Sequence, residues 1–205
     1  MSYKELERDL AFIKKTMEAA TTYRNVPAVG YLAAGILGLA GSLATYYLLG
    51  ADKAADLSKI RGKDVDALSV LWAGIFILTL ISVIACIIMN ARKHGISAWN
   101  PLGARMFLSQ IPLLFVAGVL TIALVHGKNY GLIPAAWLMC YGVMAHSFSY
   151  FTGIDHRIQG LVFIVLGAGA AFAQGTAALI LLAVGFGGVH IIFGVYRLLR
   201  PSATA

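Results

Sequence analysis

The chain has 205 residues, of which 60% are apolar and only 12% are charged, with 16 Lys+Arg against 9 Asp+Glu and a formal net charge of +7. Soluble domains carry about 25% charged residues, so this balance excludes a soluble enzyme, a nucleic-acid-binding domain and a disulfide-stapled secreted domain. The charges are also crowded together: six stretches of 16 to 24 residues contain no Asp, Glu, Lys or Arg. Such a pattern predicts an all-α fold, a polytopic transmembrane bundle of six spans embedded in a lipid bilayer.

In chain order, residues 1–26 come first and read as an amphipathic cytoplasmic or interfacial helix. Ser2-Tyr3-Lys4-Glu5 matches the capping box, and Leu6, Leu10, Ile13 and Met17 then recur at helical spacing on one stripe, with Lys14 and Glu18 as an i,i+4 pair on the other face. The segment is charged throughout and lacks the apolar core of a signal peptide. Its stripe suits burial at the membrane surface beneath the bundle, or docking of a partner on Leu6, Leu10, Ile13 and Met17.

Residues 27–199 form the expected six-helix domain. The spans are Pro27 to Gly50, Leu68 to Met89, Met106 to His126, Leu132 to Phe151, Ile158 to Ala173 and Thr176 to Tyr196. A span needs roughly 20 apolar residues to cross about 30 Å of hydrocarbon. The fifth span is short, and Gln174-Gly175 is the one break before the sixth, which predicts a tight hairpin there. Residues 200–205 are read as a cytoplasmic tail. On the side of the two termini the chain carries 11 Lys+Arg against 5 on the other, so both termini are expected in the cytoplasm of a bacterial-type inner membrane.

The run Leu10-Ala11-Phe12-Ile13-Lys14-Lys15-Thr16-Met17-Glu18-Ala19, then Val26-Pro27 and Gly30, and later Gly185-Phe186-Gly187-Gly188-Val189-His190-Ile191-Ile192-Phe193-Gly194, carries a likeness at both ends of the chain. In these segments the protein resembles a family of small bacterial six-span membrane proteins without an assigned activity. That resemblance implies the six-span plan and brings no cofactor or catalytic residue to carry over.

Helices in lipid associate through close backbone approach at small residues. The first span offers a ladder at Gly30, Ala34, Gly38 and Ser42, the fifth Gly167, Ala171 and Gly175, and the sixth Ala183 and Gly187. These faces suit packing within the chain, a homo-oligomer seam, or contact with another membrane-complex subunit.

The spans hold no acid and no Lys or Arg, which leaves histidine as the group to weigh. His146 and His190 each lie 14 residues from the outer ends of their spans at Leu132 and Thr176, a depth of about 21 Å, so both fall at one level in the cytoplasmic half. Three readings stand: neutral imidazoles bonded inside the core, bis-histidine ligands of a haem or metal ion, or members of a proton relay. His94 and His156 are placed in cytoplasmic loops, His126 at an outer helix end, and Asp155-His156-Arg157 in a solvated turn. Cys86 and Cys140 differ in depth by about 15 Å, too far for a disulfide, and read as small apolar side chains.

No H-E-x-x-H, G-x-S-x-G, P-loop or zinc-spaced cysteine pair is present. The leading expectation is therefore an integral membrane protein without its own catalytic site, an accessory, scaffold or interaction subunit of the cytoplasmic membrane. Two alternatives accompany it: a haem- or metal-binding redox protein using His146 and His190, and a small-solute channel or transporter with Ser109, Gln110, Thr121 and His146 along its path.

Overall fold

The computed structural model describes residues 7–10, 27–93 and 101–199. Residues 7–10 are helical and exposed; Leu6, Ile13 and Met17 of the expected amphipathic stripe, His94 and the tail at 200–205 lie outside the described residues. The rest is all helix, with no strand among the described residues. Helices α1 (Ala28–Ala55) and α2 (Gly62–Lys93) are followed by the short α3 (Pro101–Leu108), then α4 (Ile111–His126), α5 (Ile133–Thr152) and α6 (Ile154–Phe172). The last span runs through α7 (Thr176–Leu182), a π-helical segment at Ala183–Val189, and α8 (His190–Leu199). Six helical stretches are long and apolar enough to cross a membrane: Ala28–Ala55, Gly62–Lys93, Gly103–His126, Tyr130–Thr152, Ile154–Phe172 and Thr176–Leu199. The protein is a six-span integral membrane protein.

Local chemistry explains the breaks. In α1 the helix interrupts at Gly50 (φ +70°), where the sequence pattern ends the first span. The third span is divided at Ser109-Gln110 because Pro112 has no N–H for the Leu108 carbonyl and its ring crowds that carbonyl. Freed from its usual partners, the Met106 carbonyl accepts from Ser109 Oγ (2.7 Å) and Gln110 Nε2 (3.3 Å). Ala173–Gly175 makes the short connection between the fifth and sixth spans.

One connection departs from expectation. Asp155-His156-Arg157 is the first turn of α6 rather than a solvated turn, and the fifth span starts at Ile154, four residues before Ile158. The cause is Gly153 at φ +103°, a conformation open to glycine, which reverses the chain in a single residue and lets α6 begin at once. Asp155 then occupies the first turn, where the helix dipole favours an acid.

The chain alternates in direction, so α1 begins, α5 ends, α6 begins and α8 ends at one end of the bundle, here termed the terminal end. At the opposite, loop end, Leu49, Ala54, Leu57, Ile60 and Leu179 make a small apolar cluster. The connection above it is tied by Lys53–Asp64 (2.6 Å) and Lys59–Asp52 (2.5 Å) ion pairs. There the side-chain hydroxyl and backbone N–H of Ser58 hold the Asp56 carboxyl below its ordinary range, and Asp52 raises the Lys59 ammonium above its own. The main core is Ala135, Leu138, Phe163, Ala170, Leu182 and Val189, drawn from α5, α6 and the sixth span. By contrast α2 and α4 bury little of themselves and turn Phe76, Ile77, Ile81, Phe115 and Ile122 outward, as lipid-facing helices do.

Candidate functional site

Two helix pairs are held internally at backbone distance. In the α5/α6 pair, a Cβ added at Gly160 would lie 2.5 Å from the His146 nitrogen, one at Gly142 would lie 2.8 Å from the Gly160 carbonyl oxygen, and one at Gly167 would lie 2.8 Å from the Met139 nitrogen. Only glycine fits at such separations. The second pair is α1 with the sixth span. A Cβ at Gly38 would be 2.5 Å from the Phe186 carbonyl oxygen, one at Gly35 would be 2.9 Å from the Ile191 nitrogen, and one at Gly194 would be 3.1 Å from the Leu32 nitrogen. α1 and α6, in contrast, are not a packed pair.

What joins the two pairs at the terminal half is polar and crossed. Tyr31 of α1 bonds through its hydroxyl to His156 Nε2 of α6. Tyr141 of α5 bonds to His190 Nε2 of α8 at 2.7 Å. Each pair thus contributes one tyrosine and one histidine, and each tyrosine takes the histidine of the other pair. The two bonds are neighbours, since the Tyr31 ring centroid is 5.8 Å from that of His156 and 6.3 Å from that of His190. Phe163 and Phe186 close the inner side, with ring centroids 5.3 and 6.2 Å from His190. At the outer side the Arg197 guanidinium lies 5.4 Å from the Tyr31 ring centroid.

Depth follows from position along each helix. Tyr31 and His156 lie within the first turn of α1 and α6, about 5 Å from the terminal end, whereas His190 and Tyr141 lie 9 and 11 residues from Leu199 and Thr152, about 14 and 16 Å in. The seam therefore runs from the terminal end to roughly mid-membrane.

Its polar atoms are incompletely paired. Among the described residues seven buried side-chain polar atoms have no hydrogen-bond partner, and six of them belong to α5, α6 and α8 at this level: His146 Nδ1, Ser149 Oγ, His156 Nδ1, both amide atoms of Gln159, and His190 Nδ1. Gln159 is fully buried, while His156 and His190 are 5% and 4% exposed. The carbonyls of Gly185 and Phe186 face the His190 ring without completing a bond of ordinary geometry to Nδ1. The seventh atom is Gln110 Oε1 of the third span; other polar groups of the spans are satisfied locally, as where Ser42 and Thr45 donate to carbonyls one turn back and Trp72 Nε1 donates to Thr45 at 3.0 Å. A carboxamide without partners in an apolar medium costs several kcal/mol, which marks the seam as a place where more than packing has shaped the sequence.

The residues singled out in the sequence fall as follows. His190 is in the seam, with Nε2 taken by Tyr141. His146 is on α5, its ring 6.2 Å from that of Tyr150 and its backbone against Gly160, and no ring contact or hydrogen bond joins it to His190 among the described residues. Ligation of a haem or metal ion through His190 Nε2 would require that atom to leave Tyr141. No group of three or more His, Cys, Asp or Glu at metal-binding spacing occurs among the described residues. In the small-residue ladder, Gly38 and Ser42 are buried, Ala34 is half-buried, and a Cβ at Gly30 would meet Cys86 Cβ at an ordinary 3.8 Å. Gly187 abuts Leu39, Gly167 abuts Met139, and Ala171 packs on the main core. Thr121 donates to the Ala117 carbonyl, and Ser109 and Gln110 bond to one another, so these three are tied within their own span. Leu10 is exposed.

Sequence reasoning missed Tyr31, Tyr141, His156 and Gln159. The one available signal was Gln159, whose uncharged amide lies inside an apolar stretch. Comparisons of the chain with protein-family models, with curated proteins and with solved structures find no match.

Proposed function

We propose that this membrane protein handles a small, uncharged, hydrogen-bonding solute at the seam between its two glycine-held helix pairs. The observation that carries this reading is the crossed Tyr31–His156 and Tyr141–His190 arrangement, with the partnerless Gln159 amide one turn along the buried face of α6 from His156. Buried polar groups in a membrane bundle are expensive and gather where a solute or ion is met. The charged groups beside the seam, Asp155 and Arg197, are of opposite sign and both sit at the rim, which suits a neutral solute better than an anion or cation. The excess of Lys and Arg beside the termini supports a cytoplasmic-membrane protein with both termini inside, the seam then opening to the cytoplasm. The likeness of both chain ends to small bacterial six-span proteins belongs to the same proposal.

The test is osmotic. Liposomes containing the purified protein, challenged with glycerol or urea in a stopped-flow instrument, are expected to re-swell at least tenfold faster than empty liposomes, and Gln159→Leu should remove most of the difference. Re-swelling no faster than in empty liposomes, together with a second polypeptide in native mass spectra of the mildly extracted protein, would overturn this reading in favour of an interaction subunit.

A further inference from the structure

The partnerless atoms of the seam have a definite order in space. On α6, His156, Gln159 and Phe163 follow one another at three- and four-residue spacing on the buried face, so Gln159 lies one turn inward of His156 and one turn outward of Phe163. Phe163 touches the ring of His190. Gln159 therefore stands between the outer Tyr31–His156 bond and the inner Tyr141–His190 bond.

Neither bond resolves the shortage on its own. If a tyrosine donates to Nε2, the imidazole carries its proton on Nδ1 and is left with an unused donor. If Nε2 donates to the tyrosine instead, Nδ1 becomes an unused acceptor. Water can donate or accept, and so can a carboxamide, so both tautomers are completed by water held at Gln159. A site of this kind, polar and offering two to four partners per molecule, is where buried water is kept.

We propose that the seam takes up water at Gln159 and that this water joins the two tyrosine–histidine pairs into a proton-exchange path from the terminal end to His190. At each pair the tyrosine O–H proton shifts to Nε2 as the Nδ1 proton leaves for the water, giving a transient tyrosinate and hydronium. A different proton of that hydronium then returns to Nδ1 as the Nε2 proton goes back to the tyrosine oxygen. Each ring thus swaps one proton with the water, no net charge moves, and none crosses the aromatic plug of Phe163 and Phe186. The charged groups facing this path are Arg197 of α8, over Tyr31, and Asp155 in the first turn of α6; the facing titratable groups are Tyr31 of α1, Tyr141 and His146 of α5, and the two histidines themselves. The proposal deepens the solute-site reading by naming water and the proton as occupants, and its test does not depend on flux.

The experiment is water-edited solid-state NMR of the full chain, labelled with ¹⁵N-histidine, in lipid bilayers. In the wild type, magnetisation from water is expected to reach the ring nitrogens of both His156 and His190, and in D₂O both exchangeable ring protons are replaced. In Gln159→Met, which keeps the side-chain length without the amide, the His156 signal should persist and transfer to His190 should fall at least fivefold. The persisting His156 resonance, compared with the wild type, also reports that the variant is folded. Water transfer that stops at His156 in the wild type, or that reaches His190 equally in Gln159→Met, overturns the proposal. A dry His190 in a protein that still conducts glycerol would sink the water path alone, whereas a wet His190 in a protein without flux would sink only the solute reading.

Discussion

A buried tyrosine hydroxyl bonded to an imidazole can be removed one oxygen at a time, which makes the two crossed bonds separable. Tyr31→Phe and Tyr141→Phe each leave an Nε2 atom without its partner at a site excluded from bulk water. The orphaned group costs about 1–3 kcal/mol where nothing replaces the bond, although hydrogen bonds between membrane helices average about 0.6 kcal/mol when measured by double-variant cycles. Each single variant is therefore expected to destabilise the bundle by about 1 kcal/mol in detergent unfolding. In the double variant the losses should add to less than their sum if both bonds hold the same seam; strict additivity would argue for two independent structural contacts. The residue scale is also where the sequence was least legible. His156 sits between Asp155 and Arg157, and such a triplet reads as solvated until Gly153 is known to turn the chain in one residue and start α6 early. His190 was legible as a buried group, but its partner Tyr141 lies 49 residues away, and no periodicity connects them.

At the scale of helices, the spans and their order were legible because a helix in lipid must satisfy its own backbone and therefore announces itself by length and apolarity. Which glycines touch a neighbour was legible in part: Gly38, Gly167 and Gly187 were, whereas Gly35 and Gly160 were not. A four-residue ladder on the first span is a straight row, whereas the buried stripe of α1 runs through Tyr31, Gly35, Gly38, Ser42 and Thr45, alternating four and three. That alternation keeps a seam facing its partner in slightly tilted helices, and it brings in Gly35, which the ladder omits. Contact decides the consequence of substitution. Gly160→Leu and Gly38→Leu place side chains where backbone atoms of the neighbouring helix already lie, and overpacking of that kind costs about 1–3 kcal/mol or more. Gly118→Leu, where nothing lies within 4 Å, is expected to be neutral or slightly stabilising through helix propensity. Thermal unfolding of the three variants in one detergent checks the contrast, and equal losses in all three would mean that the glycine contacts do not hold the pairs.

For the molecule as a whole, the proposed function turns on which face of the membrane the terminal end meets, since the seam would serve opposite purposes on the two sides. The distribution of Lys and Arg argues for a cytoplasmic opening: 11 lie on the side of the termini against 5 on the other, and short basic segments resist transfer across the membrane. The bias is tempered at the loop end, where Lys53 and Lys59 are paired with Asp64 and Asp52, although acidic residues contribute little to orientation. Two exposed positions separate the alternatives, Lys128 beyond α4 at the loop end and Arg157 in the first turn of α6 at the terminal end. In a background with Cys86→Ala and Cys140→Ala, Lys128→Cys is expected to react with a membrane-impermeant maleimide added to intact cells, and Arg157→Cys to react only after the cells are opened. The reverse pattern would place Tyr31, His156 and Arg197 against the outside. The proposed solute and proton exchange would then be with the exterior, and the positive-inside bias would have been overruled by the packing of the later spans.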